Sequence, residues 1–298
     1  MQIVSLLPSA TEIVYALGLD DALVGVTFEC DEPPNARRDK AIVVGGRDMS
    51  ALSPGEIDAY VRAQAAAGAD LYHLHRDALA GLDPQLILTQ DLCRVCALPS
   101  ATVTQALDFL GCTADVLALD PHSLEDVLRT IVDVGAHAGV PARAERLVAS
   151  LRARLDAVAQ AVSGRPRPRV AVVEWVDPPF PAGHWVPDLV VAAGGDPVAA
   201  VPGGRSHPVT WDVFAAARAD LVLVAPCGFH LDGAAEQAAV VAEALPGVAV
   251  WAIDGDGLIV RPGPRLVDGV EAIASILHPD AVPARPAAVR LVRAGLHL

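Results

Sequence analysis

Residues 2–28 read QIVSLLPSATEIVYALGLDDALVGVTF, and this stretch decides the fold. The apolar run Gln2–Leu6 predicts a strand, Ser9–Leu17 predicts a helix, and Leu23–Phe28 predicts a second strand. A strand, a helix and a strand in immediate succession are typical of a parallel sheet with helices packed on its faces. The opening of the chain therefore favours the α/β class.

The same alternation continues as far as residue 140. Ser9 and Glu12 have the spacing of a capping box, which predicts that the first helix begins at Ser9. Further strands are expected at Ile42–Val44, Leu86–Thr89 and Asp115–Leu119. Further helices are expected from Ser53 and over Ala101–Leu110. Together these elements predict an N-terminal α/β lobe over 1–140.

After Pro141 the pattern changes to that of a long amphipathic helix. Apolar residues recur at three- and four-residue steps, at Leu147, Leu151, Leu155, Val158 and Val162. This repeat predicts a connecting helix over 141–164, which ends where glycine and proline follow.

A second α/β lobe is predicted over 165–278. Its strands are expected at Arg169–Glu174, Leu221–Ala225 and Val248–Ile253. Its helices are expected from Val186, from Thr210, over Ala234–Ala244 and over Pro264–Leu277. The tail 279–298 is rich in Ala, Pro and Arg and is expected to be a solvated extension or a segment on the surface. The predicted fold is two parallel-sheet α/β lobes joined by one long helix, with a ligand cleft between the lobes.

Composition and charge argue against some classes of function. The 298 residues are 53% hydrophobic, as in a packed globular protein, and carry a formal net charge of -14. This acidity argues against a nucleic-acid partner, whose phosphates require a basic stripe. No apolar run is long enough to span a membrane, so no membrane insertion is expected. The chain begins at Met1 without a basic, apolar leader, which predicts a cytoplasmic location and reduced thiols.

Four thiols follow predicted strands. Cys30 follows Leu23–Phe28, Cys93 and Cys96 follow Leu86–Thr89, and Cys227 follows Leu221–Ala225. Because ligands collect at the carboxyl ends of parallel strands, these thiols are candidate ligands of an iron–sulfur cluster or of a single zinc or iron ion. The alternative is that they are small buried core residues, which is also the expectation for Cys112.

A second constellation follows the first strand of the C-terminal lobe. Aromatic residues are scarce, at 4% of the chain, yet three of them cluster around one histidine in this segment. A flat apolar ligand such as a corrin or another tetrapyrrole would stack on such rings, although the segment could also pack on its own lobe. The candidate ligand-binding residues, including a carboxylate and a rim guanidinium, are Glu174, Trp175, Phe180, His184, Trp185 and Arg205.

Several segments carry a family resemblance. They read IVSLLPSATE at 3–12, ALG at 16–18, LVGV at 23–26, PQLIL at 84–88 and ADLVL at 219–223. In these stretches the chain resembles the class III solute-binding proteins, which capture cobalamin, haem and ferric siderophores for ABC importers. The stretch CDEPP at 30–34 is most similar to the cobalamin-binding branch. The resemblance implies the two-lobed fold and a metal-bearing ligand such as cobalamin, whereas the missing leader argues against a direct ABC importer partner.

The leading hypothesis is a cytosolic, non-catalytic binding protein. Its ligand is either cobalamin or a related corrinoid, contacted by Trp175, His184 and Trp185, or a metal or cluster held by the four thiols. The alternative is an iron–sulfur or dithiol-dependent enzyme that acts on a small molecule in the same cleft. His73 and His75 flank Leu74 and lie on one side only if this segment is a strand; as an isolated pair they are expected at the surface.

Overall fold

The structure is a computed structural model that describes residues 1–91, 101–104 and 113–295. The chain divides into two compact units. The N-terminal unit comprises Met1–Pro121 and Leu128–Ala149, and the C-terminal unit comprises His122–Val127 and Ser150–Leu298. The predicted connecting helix is present as Pro141–Ala161, and the division between the units falls within it.

A six-stranded sheet forms the N-terminal unit. Its strands are β1 (Ile3–Ser5), β2 (Leu23–Thr27), β3 (Ala41–Gly46), β4 (Tyr72–Leu74), β5 (Leu86–Thr89) and β6 (Asp115–Ala118). The spatial order is β4-β3-β2-β1-β5-β6, and all neighbours run parallel except β4, which is antiparallel to β3. The predicted parallel sheet is therefore mixed at one edge. Its apolar strands lie in a core that includes Val4, Leu6, Val43 and Ile87.

The helices of the first part of the chain are α1 (Pro8–Ala16), α2 (Ala36–Asp39), α3 (Pro54–Ala66), α4 (Arg76–Ala80), α5 (Leu124–His137) and α6 (Pro141–Ala161). Residues 101–104 are helical, and the rest of the helix predicted over Ala101–Leu110 lies outside the described residues.

The start of α1 differs from the prediction. Leu7 is the N-cap and Pro8 occupies the first turn, so the helix begins before Ser9. Proline is favoured there because its fixed φ suits the first helical turn. Ser9 and Glu12 are consequently buried within the helix, and the capping box predicted for them is wrong. A capping box is formed instead at the start of α3 by Ser53 and Glu56.

A seven-stranded sheet forms the C-terminal unit. Its strands are β7 (Arg169–Val176), β8 (Pro179–His184), β9 (Asp196–Pro197), β10 (Ala200–Pro202), β11 (Leu221–Val224), β12 (Ala249–Ile253) and β13 (Val289–Arg293). The order is β10-β8-β7-β11-β12-β13, with β9 paired to β7. The central strands β7, β11 and β12 are parallel, β8 is antiparallel to β7 but parallel to β10, and β13 is antiparallel to β12.

The remaining helices are α7 (Val186–Ala192), α8 (Trp211–Ala216), α9 (Leu231–Ala244), α10 (Gly255–Leu258) and α11 (Leu266–Leu277). One face of α9 packs on the sheet through buried small residues, among them Ala234, Ala238 and Val241. Within the described ranges, no helix combines the length and the apolarity that crossing a membrane requires.

Two strands of the C-terminal sheet were not predicted from the sequence. The stretch after β7 turns back as β8, and the tail contributes β13, in which Leu291 pairs with Trp251 of β12. The Arg293 side chain fixes the end of β13, because its Nε donates to the Val248 carbonyl oxygen at 3.2 Å. Of the two alternatives expected for the tail, Val289–Arg293 are therefore not a solvated extension but an edge strand laid against β12.

Candidate ligand-binding site

The carboxyl ends of β7, β11 and β12 share one edge of the C-terminal sheet because these strands are parallel. Near this edge, the Trp175 ring lies 5.9 Å from the Phe229 ring, centroid to centroid, and both residues are partly exposed. The Trp175 indole nitrogen donates to the Asp177 carbonyl oxygen at 3.0 Å, which fixes the ring in the β7–β8 turn. Two aromatic faces are thus held at a sheet edge by the backbone around them.

Phe180 and Trp175 are paired across the β7–β8 hairpin. This pairing explains why aromatic residues cluster in this part of the sequence, since cross-strand aromatic neighbours stabilise a hairpin. Phe180 is partly buried. Phe229 was not predicted as a ligand contact from the sequence, because its contact with Trp175 depends on the pairing of β7 with β11.

Glu174 of β7 forms hydrogen bonds with β8 and with the loop that contains Ser206. Its Oε1 accepts a hydrogen bond from the Gly183 backbone nitrogen at 3.0 Å, and its carboxyl is also hydrogen-bonded by the Ser206 side chain. Burial raises the pKa of Glu174 to about 8, and the two hydrogen bonds offset only part of that effect. The carboxyl group is therefore mostly protonated at neutral pH.

Gly183 has no room for a side chain at this position. A Cβ there would lie 2.7 Å from the Ser206 backbone nitrogen and 2.8 Å from the Gly204 carbonyl oxygen. This close approach lets the segment 203–206 pack directly on β8, where the His184 backbone nitrogen donates to the Gly204 oxygen at 2.7 Å. Glu174 therefore lies under the loop that carries Arg205, and it positions this loop through Gly183 and Ser206.

His184 has two unusual features. Its φ of 48° lies in the left-handed region, which is costly for a residue with a side chain. Its Nε2 atom is buried and has no hydrogen-bond partner among the described residues. Leaving a buried polar atom unpaired costs about 1–3 kcal/mol, so this conformation is one that a bound ligand or water could relieve.

The imidazole of His184 is also held neutral. Burial lowers the pKa of His184, and the positive charges of His122 and Arg205 lower it further. The neutral form is the one that can bind a metal through a ring nitrogen. Arg205 is exposed, so its guanidinium remains at the surface of the loop while its charge acts on His184.

Two neighbouring rings pack against His184. The Trp185 ring is 5.6 Å away and the His122 ring is 6.1 Å away, centroid to centroid. Trp185 is only 6% exposed and its indole nitrogen donates to the Ile259 carbonyl oxygen at 2.9 Å. This burial does not favour the direct ligand contact predicted for Trp185. The Trp185 ring instead packs against the His184 ring.

Sequence reasoning missed His122. Its Nδ1 lies 3.2 Å from the Gly203 carbonyl oxygen, and because a carbonyl only accepts, Nδ1 carries the proton. The signal available in the sequence was its position before Ser123 and Asp126, which cap the following helix through reciprocal hydrogen bonds of 3.0 and 3.1 Å. These bonds fix the backbone directly after His122, but they do not by themselves mark its side chain as functional.

The N-terminal unit carries its own aromatic surface, which the sequence analysis also missed. Tyr72 and Phe28 lie 6.2 Å apart, ring centroid to centroid, and the Tyr72 hydroxyl donates to both Glu29 carboxylate oxygens at 3.1 Å. Gly46 leaves the space that the Phe28 ring occupies, since a Cβ there would lie 2.8 Å from the ring. Nearby, the Arg47 guanidinium lies 4.6 Å above the centre of the Tyr60 ring.

The predicted thiol ligands occupy different environments. Cys30 is buried in the N-terminal unit, where its sulfur lies 3.1 Å from the Thr11 hydroxyl and 3.5 Å from the Thr27 hydroxyl. Cys227 is exposed in the C-terminal unit, and its backbone nitrogen donates to the Glu174 carbonyl oxygen at 3.3 Å. Cys93 and Cys96 lie outside the described residues, so the four-thiol site stays a prediction.

Comparisons with known proteins agree with this architecture. The family model described as "Periplasmic binding protein" matches residues 3–251. An "Uncharacterized ABC transporter substrate-binding lipoprotein" of Bacillus subtilis is 25% identical over 290 residues, which cover 94% of this chain and 80% of the relative. A "Cobalamin-binding protein" of Halobacterium salinarum is 25% identical over 289 residues, which cover 93% of this chain and 69% of the relative.

Among solved structures, a periplasmic haem-binding protein from Pseudomonas aeruginosa superimposes with a TM-score of 0.70 at 23% identity, covering 99% of this chain and 98% of the other. At this level of identity the similarity shows only that the two proteins share an α/β fold. The family resemblance identified from the sequence is confirmed by the family model, which spans most of the chain. The chain therefore belongs to the periplasmic binding protein family.

Proposed function

We propose that this protein is a solute-binding protein whose ligand is cobalamin or a related corrinoid. The observation that carries the proposal is the partly exposed pair Trp175 and Phe229 at the carboxyl edge of the C-terminal sheet. Flat rings of this kind supply the apolar contact area that a corrin macrocycle requires. The name of the Halobacterium salinarum relative, a cobalamin-binding protein, supports the same ligand class.

His184 is the proposed polar contact within this function. Its neutral imidazole and its unpartnered buried Nε2 leave a nitrogen whose hydrogen-bonding or metal-ligating capacity is unused among the described residues. His122 and Trp185 hold this ring in place, and Arg205 adds a positive charge that suits the amide and phosphate oxygens of a cobalamin. In the N-terminal unit, Phe28 and Tyr72 form an aromatic surface of their own.

The test is isothermal titration calorimetry of the purified protein with hydroxocobalamin and, separately, with haem. Trp175→Ala should weaken cobalamin binding about tenfold, which corresponds to about 1.4 kcal/mol of lost stacking. Trp211→Ala is the matched control, because Trp211 is in the same unit and its ring packs on Phe214 and the core of that unit. Equal losses in both variants would indicate general destabilisation and would contradict the proposed contact.

Haem is the comparison ligand. Preferential binding of haem would keep the solute-binding function and replace the corrinoid by a porphyrin. No binding of either compound would contradict the proposal.

The other sequence-based expectations stay predictions. The relatives named above give no support to a cluster or metal held by Cys30, Cys93, Cys96 and Cys227, to a dithiol-dependent enzyme or to a cytoplasmic location. An ABC importer is the class of partner that the name of the Bacillus subtilis relative indicates, so we include it in the proposal despite the contrary expectation from the start of the chain.

A further inference from the structure

Two histidines meet on one face of the N-terminal sheet, outside the residues assigned above. His73 lies in β4 and His75 follows it directly, with the His75 backbone nitrogen donating to the Val43 oxygen at 2.8 Å. The pairing with β3 therefore continues as far as His75. Because side chains alternate along an extended strand, His73 and His75 lie on the same face, and their rings are 5.0 Å apart, centroid to centroid, at an angle of 87°.

Gly45 supplies the space that both imidazoles enter. It is the register partner of His73 across the antiparallel β3–β4 pair. A Cβ built on Gly45 would lie 2.6 Å from His73 Nε2 and 2.7 Å from His75 Nε2. Both nitrogens therefore converge on one point above the glycine, and any other residue at position 45 would push at least one of them away.

Convergent imidazole nitrogens are the ligand set that divalent transition metals of the later first row prefer. A bound ion requires about 2.0–2.1 Å to each nitrogen, which small rotations about the side-chain torsions of two exposed histidines can provide. Among the described residues no third imidazole, thiolate or carboxylate joins this pair, so water would complete the coordination.

We infer that His73 and His75 form a two-histidine binding site for a divalent transition metal ion such as Ni²⁺ or Cu²⁺, above Gly45. The site is independent of the proposed corrinoid function, because it uses other residues of the N-terminal unit. A pair of rings in edge-to-face contact with no affinity for metal is the alternative, and metal titration separates the two.

The probe is Ni²⁺, titrated calorimetrically into the full chain after its accessible thiols have been alkylated so that sulfur does not compete for the ion. One ion per chain is expected. His73→Gln and His75→Gln should each weaken the affinity about tenfold or more, because each removes one of two ligands. His207→Gln is the matched control, since His207 is also exposed and lies in the other unit.

Gly45→Ala tests the geometry separately, because it keeps both histidines and fills the space between their nitrogens. It should also weaken Ni²⁺ binding, with folding checked by circular dichroism. The inference is overturned if the wild-type chain binds no Ni²⁺, or if His73→Gln and His75→Gln bind it as tightly as His207→Gln does. The two glutamine variants decide the matter even if Gly45→Ala fails to fold.

Discussion

Replacing Glu174 by glutamine should remove a pH dependence from the stability of the C-terminal unit. Burial raises the pKa of Glu174 from its ordinary 4.5 to about 8 in the folded protein. Below about pH 4.5 both the folded and the unfolded chains hold the proton. Between about pH 4.5 and about pH 8 the unfolded chain releases it and the folded chain keeps it, so the free energy of unfolding falls as the pH rises.

The size of the effect follows from the shift. Each pKa unit corresponds to about 1.4 kcal/mol, so the full titration would be worth on the order of 4–5 kcal/mol. The carboxyl group is surrounded by protein, but the residue as a whole keeps some contact with solvent, which reduces the effect; we expect about 2–3 kcal/mol. Glutamine cannot titrate, yet its amide oxygen can still accept the hydrogen bond from the Gly183 backbone nitrogen.

Tryptophan fluorescence is a suitable assay because every tryptophan of the chain lies in the C-terminal unit, namely Trp175, Trp185, Trp211 and Trp251. Urea unfolding at a series of pH values gives the free energy of unfolding of wild type and of Glu174→Gln. Between about pH 4.5 and about pH 8, the free energy of unfolding of the wild type should fall by about 2–3 kcal/mol relative to that of Glu174→Gln. A difference that stays constant with pH would refute a buried, proton-holding Glu174.

Three other predictions concern stability and the thiols. Ser53→Ala should cost about 1 kcal/mol in the N-terminal unit, because Ser53 caps α3; circular dichroism melts would show it, and an unchanged melting temperature would contradict the cap. Asp256→Ala should cost about 3 kcal/mol, because it removes the carboxylate that pairs with the largely buried Arg261 guanidinium at 2.7 Å. An Asp256→Ala, Arg261→Met double variant should regain part of this loss in urea unfolding, and no recovery would argue against the ion pair. The four-thiol hypothesis predicts that anaerobically purified protein absorbs visible light and that Cys93→Ser abolishes the absorption; colourless, metal-free wild-type protein would exclude a cluster.

Much of the sheet scaffold was predictable from local sequence. Apolar runs such as Leu86–Thr89 and Leu221–Val224 are strands at the positions expected, because central parallel strands are buried on both faces and show as continuous apolar runs. The helix Pro141–Ala161 was predictable for a similar reason, since its apolar spacing persists from Leu147 to Val162. These signals are local and need no tertiary context.

Edge strands were harder to predict. The segment PFPAGH of β8 contains two prolines and a glycine, which are typical of loops, yet it pairs with β7 and β10. The tail strand β13 is stabilised by its pairing with β12 and by the Arg293 side chain, neither of which a local pattern reveals. In both cases long-range pairing overrides local propensity.

In the candidate site, too, some residues could be predicted from local sequence and others only from long-range contacts. Glu174, Trp175 and His184 could be selected because they lie at or just after the end of a recognisable strand. In contrast, Phe229, His122 and Tyr72 contribute through contacts with residues far away in the sequence. The convergence of His73 and His75 likewise depends on the antiparallel pairing that places Gly45 opposite them. Sequence spacing predicted that these histidines meet only in a strand, and the tertiary fold provides that strand.

Calorimetric titration of the full chain with hydroxocobalamin tests the central claim most directly. The proposed function predicts binding of one cobalamin per chain, weakened about tenfold by Trp175→Ala and unaffected by Trp211→Ala. The absence of cobalamin binding to the wild-type chain, with haem also failing to bind, would contradict the account.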